Sequence, residues 1–281
     1  MTPPFIALTR ELSPRIVECE LTHVDRTPID VAAARVQHAG YERLLAALGC
    51  DVRRIAPAPE HPDSVFVEDA AVVVDEVAVI TRPGAASRRG ETVGVEAALA
   101  GLRPLARITA PGTIDGGDVL VVDRRVFVGR TARTNDAGIA QLRAILAPHG
   151  YTVVGVPVTG CLHLKTAVTA LDDATVLVNP DWVDPAAFAP LVPVAVHPEE
   201  PMAANVLRIG EALLYAEAYP RTRAALEARG YRLHLVDASE LAKAEGAVTC
   251  CSLILRAWRR SSSRRPHISS QSCSTRSSAK A

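Results

Sequence analysis

The sequence predicts an α/β fold built as a ring of similar units, and three observations predict it. Strand-turn-strand units rich in Val, Ile and Leu recur along the chain. Their turns are acidic or contain Gly, as hairpin turns do. Segments with helical apolar spacing fill the gaps between them. Four or five such hairpin-plus-helix repeats suggest pseudo-symmetry, with the strand starts converging on a central channel. A plain α/β sandwich is the alternative.

Taken in order, Phe5 to Thr9 reads as a strand that completes a half-unit with Val248 to Arg256 near the other end. Thr27-Pro28-Ile29-Asp30 reads as a helix start: Thr caps, Pro occupies the first turn, and Asp sits near the positive end of the dipole. Ile29, Ala32, Ala33, Val36, Leu44, Leu45 and Leu48 give the helical stripe, which Gly49 closes. The first full hairpin runs from Ser64 to Arg82 and turns near Asp75-Glu76. A helix follows from Glu91 to Leu102. The second hairpin runs from Thr113 to Arg130, turning at Asp123-Arg124, and a helix spans Asn135 to Leu146. The third runs from Cys161 to Asn179, turning at Asp172-Asp173. The fourth runs from Ala203 to Ala216, turning near Gly210, with a helix from Arg221 to Arg229.

The 281 residues are 48% apolar and only 4% aromatic, so Val, Leu, Ile and Ala must build the core. Lys+Arg and Asp+Glu balance at 31 each, which gives no global field for nucleic acid or an anionic membrane. The N-terminus lacks the basic and apolar regions of a signal peptide, and no apolar stretch is long enough to span a bilayer. Six cysteines without a CxxC pair or regular spacing favour neither a disulfide scaffold nor a zinc site, and suit a reducing, cytoplasmic setting. Residues 1–256 read as one catalytic domain. Residues 257–281 are Ser- and Arg-rich without periodicity, the composition of a disordered tail. The abrupt change there also fits a shift of reading frame.

Chemistry concentrates in a few places. Gly246 to Leu255 brings Cys250 and Cys251 to the start of an apolar, strand-like run; spacing alone does not choose between the two thiols. His163 lies between Leu162 and Leu164 in another such run, where a nearby thiol and carboxylate would make it a proton shuttle. Asp115 precedes Gly116-Gly117-Asp118, whose glycines allow a sharp turn or a close approach. Glu68-Asp69 ends an apolar run, and adjacent buried acids need a cation; a planar guanidinium would satisfy both. Arg88, Arg89 and Arg133 stand in loops as surface charge or as a clamp for a carboxylate. No phosphate-binding glycine motif is present.

Six segments, in order, resemble the dimethylarginine dimethylaminohydrolases of the guanidino-group-modifying superfamily. They are Asp63–Asp69, Thr81–Arg89, Ile114–Leu120, Ala132–Asn135, Leu162–Lys165 and Thr249–Ser252, within a similarity running from about residue 5 to 256. The resemblance implies a five-bladed α/β propeller, the pentein fold, with ββαβ-type repeats. It makes Cys250 the nucleophile, His163 the acid/base and Asp115 the residue that orients the histidine. Asp69, supported by Glu68, would hold the substrate guanidinium. Arg88 and Arg133 would bind its α-carboxylate, and Asp63 with the backbone near Ala244 its α-amino group. Leu21 matches a residue of a mobile lid. The implied reaction takes methylated arginine to L-citrulline through a covalent thiouronium, with no cofactor and no metal, and with no nucleic-acid or membrane partner. Arginine deiminases and amidinotransferases use related sites, and a silent binder of arginine-like ligands is the reading from another class.

Overall fold

Every predicted hairpin forms, and each gains a third strand. The structure, a computed structural model, describes residues 4–257; apart from Ala257, the Ser/Arg-rich tail lies outside the described residues. Strand β1 (Phe5–Thr9) pairs in parallel with β2 (Cys50–Arg54) across helix α1 (Val31–Ala47). The next sheet is β3 (Ala71–Val73), β4 (Ala78–Ile80) and β5 (Leu105–Arg107), with α2 (Thr92–Leu99) as crossover. The third is β6 (Val119–Val122), β7 (Arg125–Arg130) and β8 (Thr152–Pro157), crossed by α3 (Asp136–Leu146). The short helix α4 (Leu164–Ala167) leads into β9 (Val168–Ala170), β10 (Thr175–Val178) and β11 (Val192–Ala195). The fifth contains β12 (Val206–Ile209), β13 (Ala212–Ala216) and β14 (Leu233–Val236), crossed by α5 (Pro220–Ala228). After α6 (Ser239–Ala242), β15 (Leu253–Arg256) returns antiparallel to β1, with Phe5 opposite Arg256.

The described residues thus form five three-stranded sheets, each an antiparallel pair plus one parallel strand. The fold is the predicted five-bladed α/β propeller. The first blade is made from both ends of the chain, so β15 closes the ring. The apolar core is divided among the five seams between blades. Val119, Val126 and Val128 pack toward the second blade, whereas Leu120, Val122 and Phe127 pack toward the fourth. Successive side chains of a strand point to opposite faces, and here both faces are buried. That is why the hairpins read as nearly continuous apolar runs.

Three local expectations change. Helix α1 starts at Val31, not near Thr27: the Asp30 carboxylate accepts the N–H groups of Ala32 and Ala33 at 2.9 and 3.0 Å. The stretch before it is held elsewhere, with the Pro28 carbonyl on Lys243 and the Asp30 N–H on Glu240. His163 is not inside a strand. It is an extended residue ahead of α4, and Asp118 accepts the Leu164 N–H at 3.0 Å, starting that turn. Cys250 and Cys251 lie in a turn, with the Cys250 N–H on the Ala247 carbonyl at 3.1 Å, so strand alternation does not separate their thiols. The fourth blade crosses over without an α-helix. Pro180, Pro185 and Pro190 leave only the turn Pro185–Phe188, because proline supplies no N–H to a helix.

Candidate active site

The site is assembled by the segments that precede the first strand of each blade. Glu68 and Asp69 precede β3, Asp115 to Asp118 precede β6, His163 and Lys165 precede β9, Asn205 precedes β12, and Thr249 and Cys250 precede β15. Hydrogen bonds join each segment to the next around the ring. The Glu68 N–H reaches the Cys250 carbonyl at 3.1 Å. Asp69 Oδ1 accepts the Gly117 N–H at 2.8 Å, and Asp118 accepts Leu164 as above. Asn205 Nδ2 donates to the Lys165 carbonyl at 2.9 Å and to Thr249 Oγ1 at 3.1 Å, while its Oδ1 accepts the Thr249 N–H at 3.1 Å. The belt closes where Thr249 meets Cys250.

His163 is 4% exposed. Its Nε2 lies 3.0 Å from Asp115 Oδ2, and its Nδ1 lies 3.9 Å from Asp69 Oδ1. Burial works against the imidazolium, but Asp69, Asp115 and Asp118 outweigh it and raise the histidine to about 9. Asp115 is fully buried and also accepts the Gly84 N–H at 2.9 Å. Asp118, raised to about 6 mainly by burial, accepts Thr131 Oγ1 at 2.7 Å. The paired glycines are steric necessities. A Cβ on Gly117 would stand 2.6 Å from His163 Nδ1 and 2.8 Å from Asp69 Oδ1. One on Gly116 would stand 1.9 Å from the Glu68 carbonyl oxygen.

Cys250 is partly exposed, whereas Cys251 is buried with its Sγ on the Ala247 carbonyl. The Ala247 N–H donates to Cys250 Sγ at 3.4 Å. Burial, then the charges of Glu68 and Asp69, push the Cys250 thiol up to about 12. The turn is braced from behind by Tyr41 of α1, whose hydroxyl donates to the Val248 carbonyl at 2.8 Å and lies 2.7 Å from Ser252 Oγ.

The acidic pair divides its work. Glu68 is gripped by Lys165 at 2.5 Å and by Thr249 Oγ1 at 2.8 Å, and burial raises it. A cavity of about 240 Å³ is lined by Glu68, Gly116, Lys165 and Thr249 together with residues of β3, β6, β9, β12 and β15. A larger one, about 550 Å³, opens among the hairpin turns at Asp75, Asp123 and Asp173, away from the predicted residues. Asp69 carries Arg88 Nη1 at 2.7 Å. Burial opposes its charge, but His163 and Arg88 prevail and lower it to about 2.

The two arginines differ. Arg88 is not a loop-borne surface charge: it is 4% exposed, bound to Asp69 and, at 2.9 Å, to Glu91. Its Nη2 also faces the carbonyls of Asp63 and Phe66. Arg133 is 8% exposed, 3.8 Å from Asp115, and its buried Nη1 has no hydrogen-bond partner among the described residues. A buried donor without an acceptor is costly. Asp63 is buried, which raises it, and accepts the Glu20 N–H at 3.2 Å. Leu21 packs against the cluster that holds Ala244 and Val248. Asp69, Asp115 and His163 bring three ligand atoms within 4.8 Å of one another and could hold a metal ion; Arg88 and Arg133 already supply positive charge to that cluster. The contacts of Tyr41, Thr249 and Asn205 are not legible in sequence: Tyr41 and Asn205 are ordinary polar residues remote from their partners, and Thr249 enters only as part of the motif around Cys250.

A profile of the arginine deiminase family matches residues 60–200. The chain is 48% identical over 252 residues to the N(G),N(G)-dimethylarginine dimethylaminohydrolase of Streptomyces coelicolor, covering 89% of this chain and 96% of that one. It is 39% identical over 226 residues to the protein of that name from Pseudomonas aeruginosa, covering 80% and 89%. Among solved structures, a cysteine-to-serine variant of the Pseudomonas aeruginosa protein complexed with citrulline superposes with a TM-score of 0.82 at 35% identity, over 89% of this chain and 98% of that one. An adduct of a dimethylarginine dimethylaminohydrolase with S-methyl-L-thiocitrulline superposes at 0.84 with 36% identity, again over 89% and 98%.

Proposed function

The chain belongs to the dimethylarginine dimethylaminohydrolase family, and from that membership we infer that it hydrolyses N-omega-methylated arginines to L-citrulline and the methylamine. The observation that carries the reading is the His163 ring, fixed 3.0 Å from buried Asp115 with its other nitrogen toward Asp69. That arrangement suits a proton donor aimed at a guanidinium held by Asp69, with Glu68 beneath it.

The roles follow from charge. Burial, and then the charges of Glu68 and Asp69, favour the protonated Cys250 thiol. A bound guanidinium brings a positive charge beside the sulfur and favours the thiolate, whose proton passes to solvent. The thiolate attacks the guanidinium carbon, forming the S–C bond. His163, held protonated by its carboxylates, gives its Nδ1 proton to the departing dimethylamine as the C–N bond breaks. The neutral imidazole then takes a proton from water, which attacks the thiouronium carbon. The C–S bond breaks as the added hydroxyl becomes the citrulline carbonyl and its proton passes to sulfur, which reforms the thiol. Asp115 keeps the ring oriented throughout. Arg133 Nη1 is the donor available for the substrate α-carboxylate. Arg88 contributes to that end of the pocket through Asp69 and Asp63, and Asp63 with the Ala244 backbone and Leu21 encloses the α-amino group.

No helix among the described residues is long and apolar enough to cross a membrane. The free thiols at Cys19, Cys50, Cys161, Cys250 and Cys251 suit a cytoplasmic setting. The test is citrulline formation from asymmetric dimethylarginine and from L-arginine, with Cys250→Ser as control. Turnover of dimethylarginine that Cys250→Ser abolishes is expected. The arginine deiminase profile makes L-arginine the informative competitor, and preference for it would overturn the methylarginine assignment.

A further inference from the structure

The segment between Cys19 and Asp30 contains no helix or strand, yet its tip is firmly tied. The backbone N–H groups of Thr22 and His23 donate to the two oxygens of the Glu245 carboxylate at 2.7 and 2.6 Å. Two consecutive amides on one carboxylate make a charge-assisted pair. Glu245 itself stands at φ +56, a left-handed conformation that non-glycine residues keep only where their surroundings enforce it. Its neighbours give that position meaning. Ala244 precedes it, and the turn carrying Cys250 follows it.

The tied segment also occupies two groups assigned above to the amino-acid end of the substrate. The Glu20 N–H donates to Asp63 Oδ2 at 3.2 Å, and Arg133 Nη2 donates to Thr22 Oγ1 at 3.3 Å. Leu21, between them, packs against the cluster that includes Ala244. We propose that Glu245 is a positioning residue, a latch that holds residues 20–23 over the substrate pocket and so sets how tightly the amino-acid end is retained. The proposal rests on the reading of Asp63 and Arg133 given above.

Two variants test it in the full chain. Glu245→Gly removes the carboxylate and relieves the left-handed backbone, whereas Glu245→Gln keeps one accepting oxygen. Hydrogen–deuterium exchange at the Thr22 and His23 amides should quicken at least about tenfold in Glu245→Gly and less in Glu245→Gln. KM for asymmetric dimethylarginine should rise roughly 5- to 20-fold in Glu245→Gly, with kcat within about twofold, because retention and not chemistry is lost. Unchanged exchange would overturn the latch, and so would faster exchange with an unchanged KM. If the wild-type protein turned over no methylated arginine, the reading of the site would fail, while the exchange experiment would still decide whether Glu245 ties the segment down.

Discussion

At the scale of single residues, the charge around His163 governs both its proton and its contribution to stability. Asp69, Asp115 and Asp118 hold it at about 9, above its ordinary value near 6.5. A group raised on folding stabilises fully below its unfolded value and loses that contribution as pH rises through the folded one. The stability that wild type gains over His163→Asn should therefore be complete below about pH 6.5 and vanish by roughly pH 9. Denaturant melts of both proteins across that window measure it, and a difference that grew with pH would contradict the assignment. Asp115→Asn removes the negative charge that helps lift the ring and leaves one accepting oxygen where two now serve His163 and the Gly84 N–H. Turnover should fall about 10²- to 10⁴-fold. The basic limb of the pH–rate profile should move toward lower pH, because His163 then loses its proton sooner. An unshifted limb would mean that another group supplies the proton.

At the scale of elements, α1 matters because it reaches the turn that carries Cys250 from behind. Tyr41→Phe removes one hydroxyl and leaves the Val248 carbonyl and Ser252 Oγ without it. The cost should be about 1–3 kcal/mol of stability, with kcat reduced several-fold and KM little changed, since Tyr41 bears on the turn and not on the substrate. Thermal melts with steady-state kinetics check both parts. The same scale shows what the sequence made legible. Hairpins announced themselves because both faces of their strands are buried. The third strands were silent: β2 carries Asp51, Arg53 and Arg54, and β11 is exposed at Val192, Pro193 and Ala195. A short, half-exposed edge strand needs no apolar pattern. Asp115, His163 and Cys250 stood out because acids, histidine and thiol interrupt apolar runs. Arg88 could not be separated from a surface arginine, since its burial depends on Asp69 and Glu91 being brought to it. Glu245 and Asn205 likewise acquire their partners only through the fold.

For the whole molecule, ring closure and site assembly are the same event. Each blade contributes one segment to the belt, so a group missing from any blade is felt at the others. Asn205 belongs to the fifth blade and holds no proposed chemistry, yet it spans the Lys165 backbone of the fourth blade and Thr249 beside Cys250. Through those two residues it also fixes Glu68, which both of them bind. Asn205 is 4% exposed, so water would not readily replace its amide. Asn205→Ala leaves a carbonyl, an N–H and a hydroxyl short of partners, which should cost about 2–4 kcal/mol. The effect on catalysis follows from the same geometry. Thr249 loses its backbone anchor one residue before Cys250, and Lys165 loses the contact that steadies it against Glu68. Turnover of dimethylarginine should fall at least about tenfold, although Asn205 lies outside the reacting set. A melting curve paired with kcat distinguishes the outcomes. Loss of stability with kcat unchanged would mean that the belt holds the ring together without setting the position of the thiol. Loss of both would mean that propeller closure is what aims Cys250.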